Sequence, residues 1–277
     1  MRPGVCITIP YFANLSYLDA ALQSLLAQTN ADWTAIVIDD ASPESGARDH
    51  ALDLGDRRIR CVRNSTNLGI AANFNRCLAL GGEVADIVTI FHADDVLEPT
   101  YVNAIRSAHQ TFPIATCVAP RATVIDSEGR PTRSLTDSVK RALWPRKLPV
   151  MLEGDIGLAR LMHGLFFYSP AVSYRIDLLP DVRFDDRWKQ VMDLDLLARV
   201  LLGGGSIALI PDSLYRYRRH AESMTAVNTR SSLRATEEAA VTSEIVAHAA
   251  DLGWSRTMRA GRMRLTTRLN AWSSRRS

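Results

Sequence analysis

The stretch Asp86-Ile-Val-Thr-Ile-Phe-His-Ala-Asp-Asp95 decides how this chain is read. Its first six residues form an apolar, β-rich run of the kind that makes a strand buried on both faces. The run closes on His92-Ala-Asp94-Asp95, and acids at such a place are poor packing residues. In open parallel sheets, ligands bind in the crevice beyond the carboxyl ends of the strands. Carboxylates gathered there offer oxygen ligands to a hard divalent cation, and the guest that fits is a metal-bound diphosphate. An Asp-Asp pair after a strand is also an ordinary turn or helix cap, and Glu98-Pro99 just beyond reads as a helix start.

The segments on either side favour the parallel sheet. Val5-Cys-Ile-Thr-Ile9 is a strand, followed by Pro10-Tyr11 and then by Leu15, Leu18, Leu22, Leu25 and Leu26 at helical spacing. Trp33 to Asp39 makes a second strand ending in Asp39-Asp40-Ala-Ser-Pro43, Ile59 to Asn64 a third, and Gly69 to Leu80 returns to the helical period. Alternating strands and helices predict right-handed βαβ units and a mostly parallel sheet. Beyond residue 110 the pattern changes. Thr116 to Pro120 and Ala122 to Ile125 read as two strands, Asp126 to Arg130 as a turn, and residues 131–150 as a mobile loop. Phe166 to Arg175 reads as a strand, Asp193 to Leu202 as a helix stopped by Gly203-Gly-Gly205, and Ser206 to Tyr217 as a strand. From Ser231 onward the period is helical.

Composition narrows the class. An apolar content of 47% with mixed charge is that of a globular protein. No run approaches the roughly 20 apolar residues of a membrane span, and Met-Arg-Pro-Gly leads straight into a strand without a signal-peptide core, so a cytoplasmic location is expected. The four cysteines are far apart and three lie in strands, which argues against both a zinc site and a disulfide framework. A net charge of +3 is too small to imply a nucleic-acid partner. That charge is uneven: after residue 250 there are seven Arg and one Asp. The segment Met258 to Trp272 interleaves Arg with Met, Leu and Trp, a pattern suited to peripheral contact with the inner face of a membrane. A solvated helical face or a homo-oligomer contact fits the same pattern.

Taken in order, the motifs Val-Cys-Ile-Thr-Ile-Pro-Tyr11, Val-Ile-Asp-Asp-Ala-Ser-Pro43, Asn67-Leu-Gly-Ile-Ala-Ala-Asn73, Phe-His-Ala-Asp-Asp95 and Met192-Asp-Leu-Asp-Leu-Leu-Ala-Arg199, with a late Arg216-Tyr-Arg-Arg-His220 run, resemble the family 2 glycosyltransferases of GT-A fold. The resemblance runs from about residue 4 to 225 and rests on order and spacing, since each motif alone is weak. It implies a mostly parallel central sheet flanked by helices, with a Rossmann-like nucleotide-sugar half at 1–120, an acceptor half at 121–228 and a basic helical extension at 229–277. It also implies an inverting transfer from a nucleoside-diphosphate sugar, with UDP as the family default, to an acceptor hydroxyl on a glycan or lipid-linked acceptor.

The resemblance carries roles onto particular residues. Pro10 and Tyr11 would floor the nucleotide pocket. One of Asp39 and Asp40 would accept a hydrogen bond from the base, although Asp40-Ala-Ser-Pro also reads as an Asx turn. Asn67, Gly69 and Asn73 would hold base and ribose near a helix start, where Asn67 also suits an N-cap. The family's Asp-x-Asp pattern is altered here: His92 replaces the first acid, which lowers the negative charge of the site, and Asp94 is the expected metal ligand. Asp193 stands where the family's catalytic aspartate stands, after Met192 in place of the frequent Glu, and would be the general base. Capping of its own helix is the simpler role for Asp193, and Asp195 reads as a structural partner for Arg199. Arg218 and His220 would serve the diphosphate, with His220 helping Asp94 hold Mg2+ or Mn2+. Trp188 fits either an acceptor-stacking role or the core.

Three other readings are weaker. Nucleotidyl transfer on a similar sheet would need a glycine-rich phosphate loop with Lys or Arg near the first strand, which is missing. A dinucleotide oxidoreductase would need a G-x-G-x-x-G after the first strand, which is missing. A catalytically degenerate nucleotide-sugar binder of the same fold is the alternative that His92 leaves open.

Overall fold

The computed structural model describes residues 4–43, 46–179, 181–220 and 233–263. Its frame is a nine-stranded sheet in the order β3-β2-β1-β4-β8-β6-β9-β5, with β7 paired to β9 off that path. The first half repeats strand and helix: β1 (Val5–Tyr11), α1 (Leu15–Leu26), β2 (Trp33–Asp39), α2 (Ala47–Asp53), β3 (Ile59–Arg63), α3 (Ile70–Gly82) and β4 (Ile87–Ile90). These strands are parallel. Val5, Cys6, Ile7, Ile36, Val37, Ile38 and Val88 are fully buried, as expected for strands covered on both faces.

The second half mixes directions. β5 (Val96–Leu97), α4 (Tyr101–Thr111), β6 (Cys117–Ile125), α5 (Leu135–Leu143), β7 (Val150–Glu153), α6 (Gly154–Leu161), β8 (Ser173–Arg175), α7 (Met192–Leu202) and β9 (Ser206–Arg218) follow in that order. β8 runs antiparallel between β4 and β6, so β6 and the parallel β9 point the same way as β1 to β4. The carboxyl ends of all six therefore lie along one edge, where the crevice forms. β6 spans residues 117–125, so the sheet is continuous between the two halves of the chain.

Three expectations need correcting. Residues 131–150 are not a loop throughout: Ser134 and Asp137 form a reciprocal capping box that starts α5. Phe166 to Arg175 is not one strand, because Pro170 directs the chain through a single 3-10 turn at Ser169–Ala171 and only Ser173–Arg175 pairs in the sheet. Conversely, the two strands expected around Pro120 are one strand with an irregular register. Between Ala119 and Arg121, β6 advances two residues while its partner advances four, from Leu209 to Ser213. Pro120 and Pro211 both fall in that stretch, where neither can donate to a ladder.

Helices α8 (Leu233–Asp251) and α9 (Ser255–Met263) follow, and they dock against the second half through buried apolar residues Val241, Ile245, Ala249 and Ala260. Two carboxylates tie them down. Asp155 accepts from the backbone N–H groups of Arg256 and Thr257 at the start of α9 (3.0 and 2.7 Å). Glu237 accepts from Lys189 N–H (3.0 Å) and Gln190 N–H (2.7 Å), just ahead of α7. Among the described residues no helix is long and apolar enough to cross a membrane. Of the basic segment Met258 to Trp272, residues 264–272 lie outside the described residues, as do 221–225 of the late motif.

Candidate active site

Parallel strands bring the predicted residues to one edge. Pro10 and Tyr11 end β1, and Asp39 and Asp40 end β2 beside them. Tyr11 is buried, and its carbonyl accepts from Asp40 N–H (2.8 Å). Asp39 accepts from Ser42 N–H (2.8 Å) and pairs with Arg63. Asp40 accepts from Asn64 Nδ2 (2.7 Å), Leu68 N–H (2.8 Å) and Gly69 N–H (3.1 Å), so its carboxylate orders the entry into α3. Gly69, with φ +80°, takes a conformation that favours glycine at the α3 N-cap. Asn67 makes a local turn by accepting from Gly69 N–H (2.9 Å), and the buried Asn73 accepts from Asn64 Nδ2 (3.1 Å). Asp39, Asp40 and Asn73 are thus joined through Arg63 and Asn64 on β3 and the segment after it, residues the motifs did not point to.

The acid turn is pinned to the end of β9, which explains why residues 126 apart in sequence meet. β5 begins directly after Asp95 and pairs with Tyr215 and Arg216. Asp95 is fully buried and accepts from Tyr215 OH (2.7 Å) and Arg218 N–H (2.6 Å). Burial, and then the adjacent Asp94 carboxylate, push the Asp95 carboxyl well above the usual range. Arg218 is buried too: its Nε donates to the Asp94 carbonyl (2.7 Å) and another guanidinium nitrogen to the Ser127 carbonyl (3.1 Å). His220 Nε2 lies 2.9 Å from Asp94 Oδ2. Burial works against ionisation of Asp94, but the hydrogen bond from His220 and the imidazoles of His92 and His220 outweigh it and hold this carboxyl below its usual range. Tyr17 packs on His220 with ring centroids 5.0 Å apart, and Phe74 on His92 at 5.4 Å.

His92, Asp94 and Asp95 each present one ligand atom, and these lie within 4.8 Å of one another. Asp95 spends its oxygens on Tyr215 and Arg218, which leaves Asp94 and His92 of this group; His220, expected as the second ligand, lies outside it and contacts Asp94 Oδ2 instead. One carboxylate and one imidazole, completed by diphosphate oxygens, fit a divalent ion.

Asp193 sits in the first turn of α7, whose Leu196, Leu197, Val200 and Leu201 are buried. Its Oδ2 accepts from Ser169 Oγ at 2.5 Å. Asp193 and His92, a hundred residues apart in sequence, line one cavity of about 10 Å3, together with Phe74, Ser169, Pro170 and Phe184 among others. Asp195 turns away and pairs with Arg199, as its spacing predicts. Trp188 belongs to the core at 6% exposure.

Motif reading missed Ser169, Asp137 and Lys140. Asp137 pairs with Arg219 (2.6 Å) and accepts from Tyr168 OH (2.6 Å), which fastens α5 to the residue after β9 and to Tyr168. Lys140 on α5 lies over the Tyr168 ring at 4.0 Å. Burial, then Arg234 and Arg219, push its ammonium down to about 8, while Asp137 and Asp193 oppose the shift. The capping box is the one signal that would have found α5 from sequence.

The sequence profile described as glycosyl transferase family 2 matches residues 6–172, more than half of the chain, and the chain belongs to that family. Among curated proteins it is 28% identical to an uncharacterised protein of Mycobacterium tuberculosis, over 79% of this chain and 68% of the relative. It is 24% identical to the succinoglycan biosynthesis protein ExoO of Rhizobium meliloti, over 81% of this chain and 63% of that protein. The chain thus spans about two thirds of the length of these relatives. The fold matches S. aureus TarS residues 1–349 in complex with UDP-GlcNAc (TM-score 0.67, 16% identity, 88% of this chain and 66% of that one). It also matches the mannosyltransferase PcManGT of Pyrobaculum calidifontis in complex with GDP-Man and Mn2+ (TM-score 0.65, 16% identity, 99% and 75%). The fold is GT-A, with additional C-terminal helices.

Proposed function

We propose that this chain is an inverting glycosyltransferase that moves a sugar from a nucleoside-diphosphate sugar, UDP-linked by preference, to an acceptor hydroxyl. The observation that carries this reading is the small cavity shared by His92 and Asp193, with Asp94 and His220 joined beside His92. This adjacency supports reading Asp193 as a base beside the departing diphosphate. The names of ExoO and ExoU, both succinoglycan biosynthesis proteins, support a glycan product. Residues 1–228 then form the transferase domain and 229–277 its extension.

In this mechanism the acceptor hydroxyl attacks the anomeric carbon in line with the leaving group, which gives inversion. Asp193 accepts the hydroxyl proton through Oδ1, while Ser169 holds Oδ2 and fixes the carboxylate plane. The bond from the acceptor oxygen to the anomeric carbon forms as the bond to the β-phosphate oxygen breaks, and the electron pair leaves with the nucleoside diphosphate. Asp94 and His92 would hold the divalent cation, Mn2+ in preference to Mg2+, which when bound neutralises charge on the diphosphate. Arg218 braces the turn carrying Asp94, Asp40 and Asn73 shape the nucleotide side, and Pro10 and Tyr11 form its floor.

The test is donor turnover, by hydrolysis or transfer, in Asp193→Asn. Turnover is expected to fall about 10²–10⁴-fold, the usual contribution of a general base, while donor affinity is unchanged. Undiminished turnover in this variant would remove the base assignment. Donor binding without turnover in the native chain would favour a degenerate binder.

A further inference from the structure

A cleft separate from the cavity at Asp193 lies between the end of α5 and α6. Its volume is about 470 Å3, and Trp144, Arg146, Arg160, His163 and Phe166 line it together with Ala142, Leu143 and Pro145. No carboxylate lines it. Arg121, which does not line the cleft, lies over the Trp144 ring with its guanidinium 5.2 Å from the centroid. Elsewhere in the molecule Arg58, Arg175, Arg187 and Arg216 each clasp an acid. Arg121, Arg146 and Arg160 have no such partner among the described residues. Two buried nitrogens here, Arg121 Nε and His163 Nδ1, likewise have no hydrogen-bond partner among the described residues.

We propose that this cleft is an acceptor subsite for an anionic sugar, one bearing a carboxylate or phosphate, within the transferase reading given above. Trp144 closes α5 as its C-cap, and its ring meets Phe166 edge-on at 5.8 Å, which gives a sugar an aromatic wall. Arg146 and Arg160 supply the forked donors that suit carboxylate and phosphate oxygens. Position links the cleft to the chemistry. Phe166 is three residues before Ser169, which holds Asp193, so at most roughly 11 Å of backbone separates them. A glycan whose end lies at Asp193 can place a preceding acidic residue against Trp144.

The experiment is direct binding of trigalacturonate, and of its uncharged methyl ester, to the full chain, followed by tryptophan fluorescence at low and high salt. Native protein is expected to bind the acid at least tenfold more tightly than the ester, with the preference falling as salt rises. Arg146→Gln/Arg160→Gln should lose that preference. Both arginines are exposed, so the thermal midpoint should hold, and Arg57→Gln, a distant charge loss, should bind as the native chain does. Equal binding of acid and ester, or an unchanged double variant, would overturn the proposal. So would arginine-dependent binding to phosphatidylglycerol vesicles without oligosaccharide binding, which would make the cleft a headgroup site. Asp193→Asn separates the two readings: it should keep trigalacturonate binding while losing turnover.

Discussion

At the residue scale, the site is built from side chains held by partners distant in sequence. Asp94 meets His220, and Asp193 meets Ser169. Both members of the first pair are motif residues; in the second only Asp193 is, because Ser169 sits in a turn set by Pro170 and nothing in its own neighbourhood marks it. Asp39 and Asp40 show the limit of motif reading from the other side. Their place at the end of β2 is as expected, yet their hydrogen bonds run to Arg63, Asn64 and backbone amides. One buried histidine gives a prediction outside the site. His109 is 2% exposed with Nε2 2.9 Å from Ser173 Oγ, and burial, then Arg175, push it down to about 3. Unfolded, it would titrate near 6.5, so between these values the unfolded chain binds a proton that the native chain does not. Stability therefore falls as pH drops through this window, by about 1.4 kcal/mol per pH unit from this residue. Urea unfolding at pH 6.5 and 5 should show a shallower loss in His109→Gln; an identical loss would mean that His109 is protonated in the native state.

At the element scale, β1 to β4 were legible because each strand is a short β-branched run between turn residues, and α1 and α3 because their apolar residues recur on one face. Elements that owe their form to distant contacts were not legible. β5 is two residues long and exists because Tyr215 and Arg216 pair with it. α5 is short and polar, and it is held by the Asp137 contacts to Arg219 and Tyr168. The link from α8 to α7 is of the same kind. Glu237, 6% exposed, holds the amides of Lys189 and Gln190, and Asp193 follows within a few residues. Glu237→Ala would leave two amides unpaired and is expected to cost about 1–3 kcal/mol. It should also lower kcat while donor affinity stays constant, because the helix carrying the proposed base loses its anchor. Steady-state kinetics beside chemical unfolding test this, and a loss of stability with unchanged kcat would make Glu237 a structural residue only.

At the scale of the whole molecule, one sheet edge gathers residues from positions 10 to 220 because six strands point the same way: β1 to β4 through their helical crossovers, and β6 and β9 because β8 runs antiparallel between β4 and β6. The described C-terminal helices pack on the second half of the sheet domain, and the basic composition of their sequence gives no sign of the docking that Asp155 and Glu237 provide. In the proposed reading, Asp94 is the residue on which metal and donor converge. The most direct measurement is therefore a thermal-shift series with nucleoside diphosphates and their sugars, with Mn2+, Mg2+ or chelator, on the native chain and on Asp94→Ala. Binding to the native state alone raises apparent stability, by about 2.7 kcal/mol at a hundredfold excess over Kd. The expected result is a shift by one nucleotide class that needs Mn2+, is smaller with Mg2+ and is lost in Asp94→Ala. A shift that survives chelation or the Asp94→Ala change, or no shift with any nucleotide, would contradict a metal-bound diphosphate at this turn.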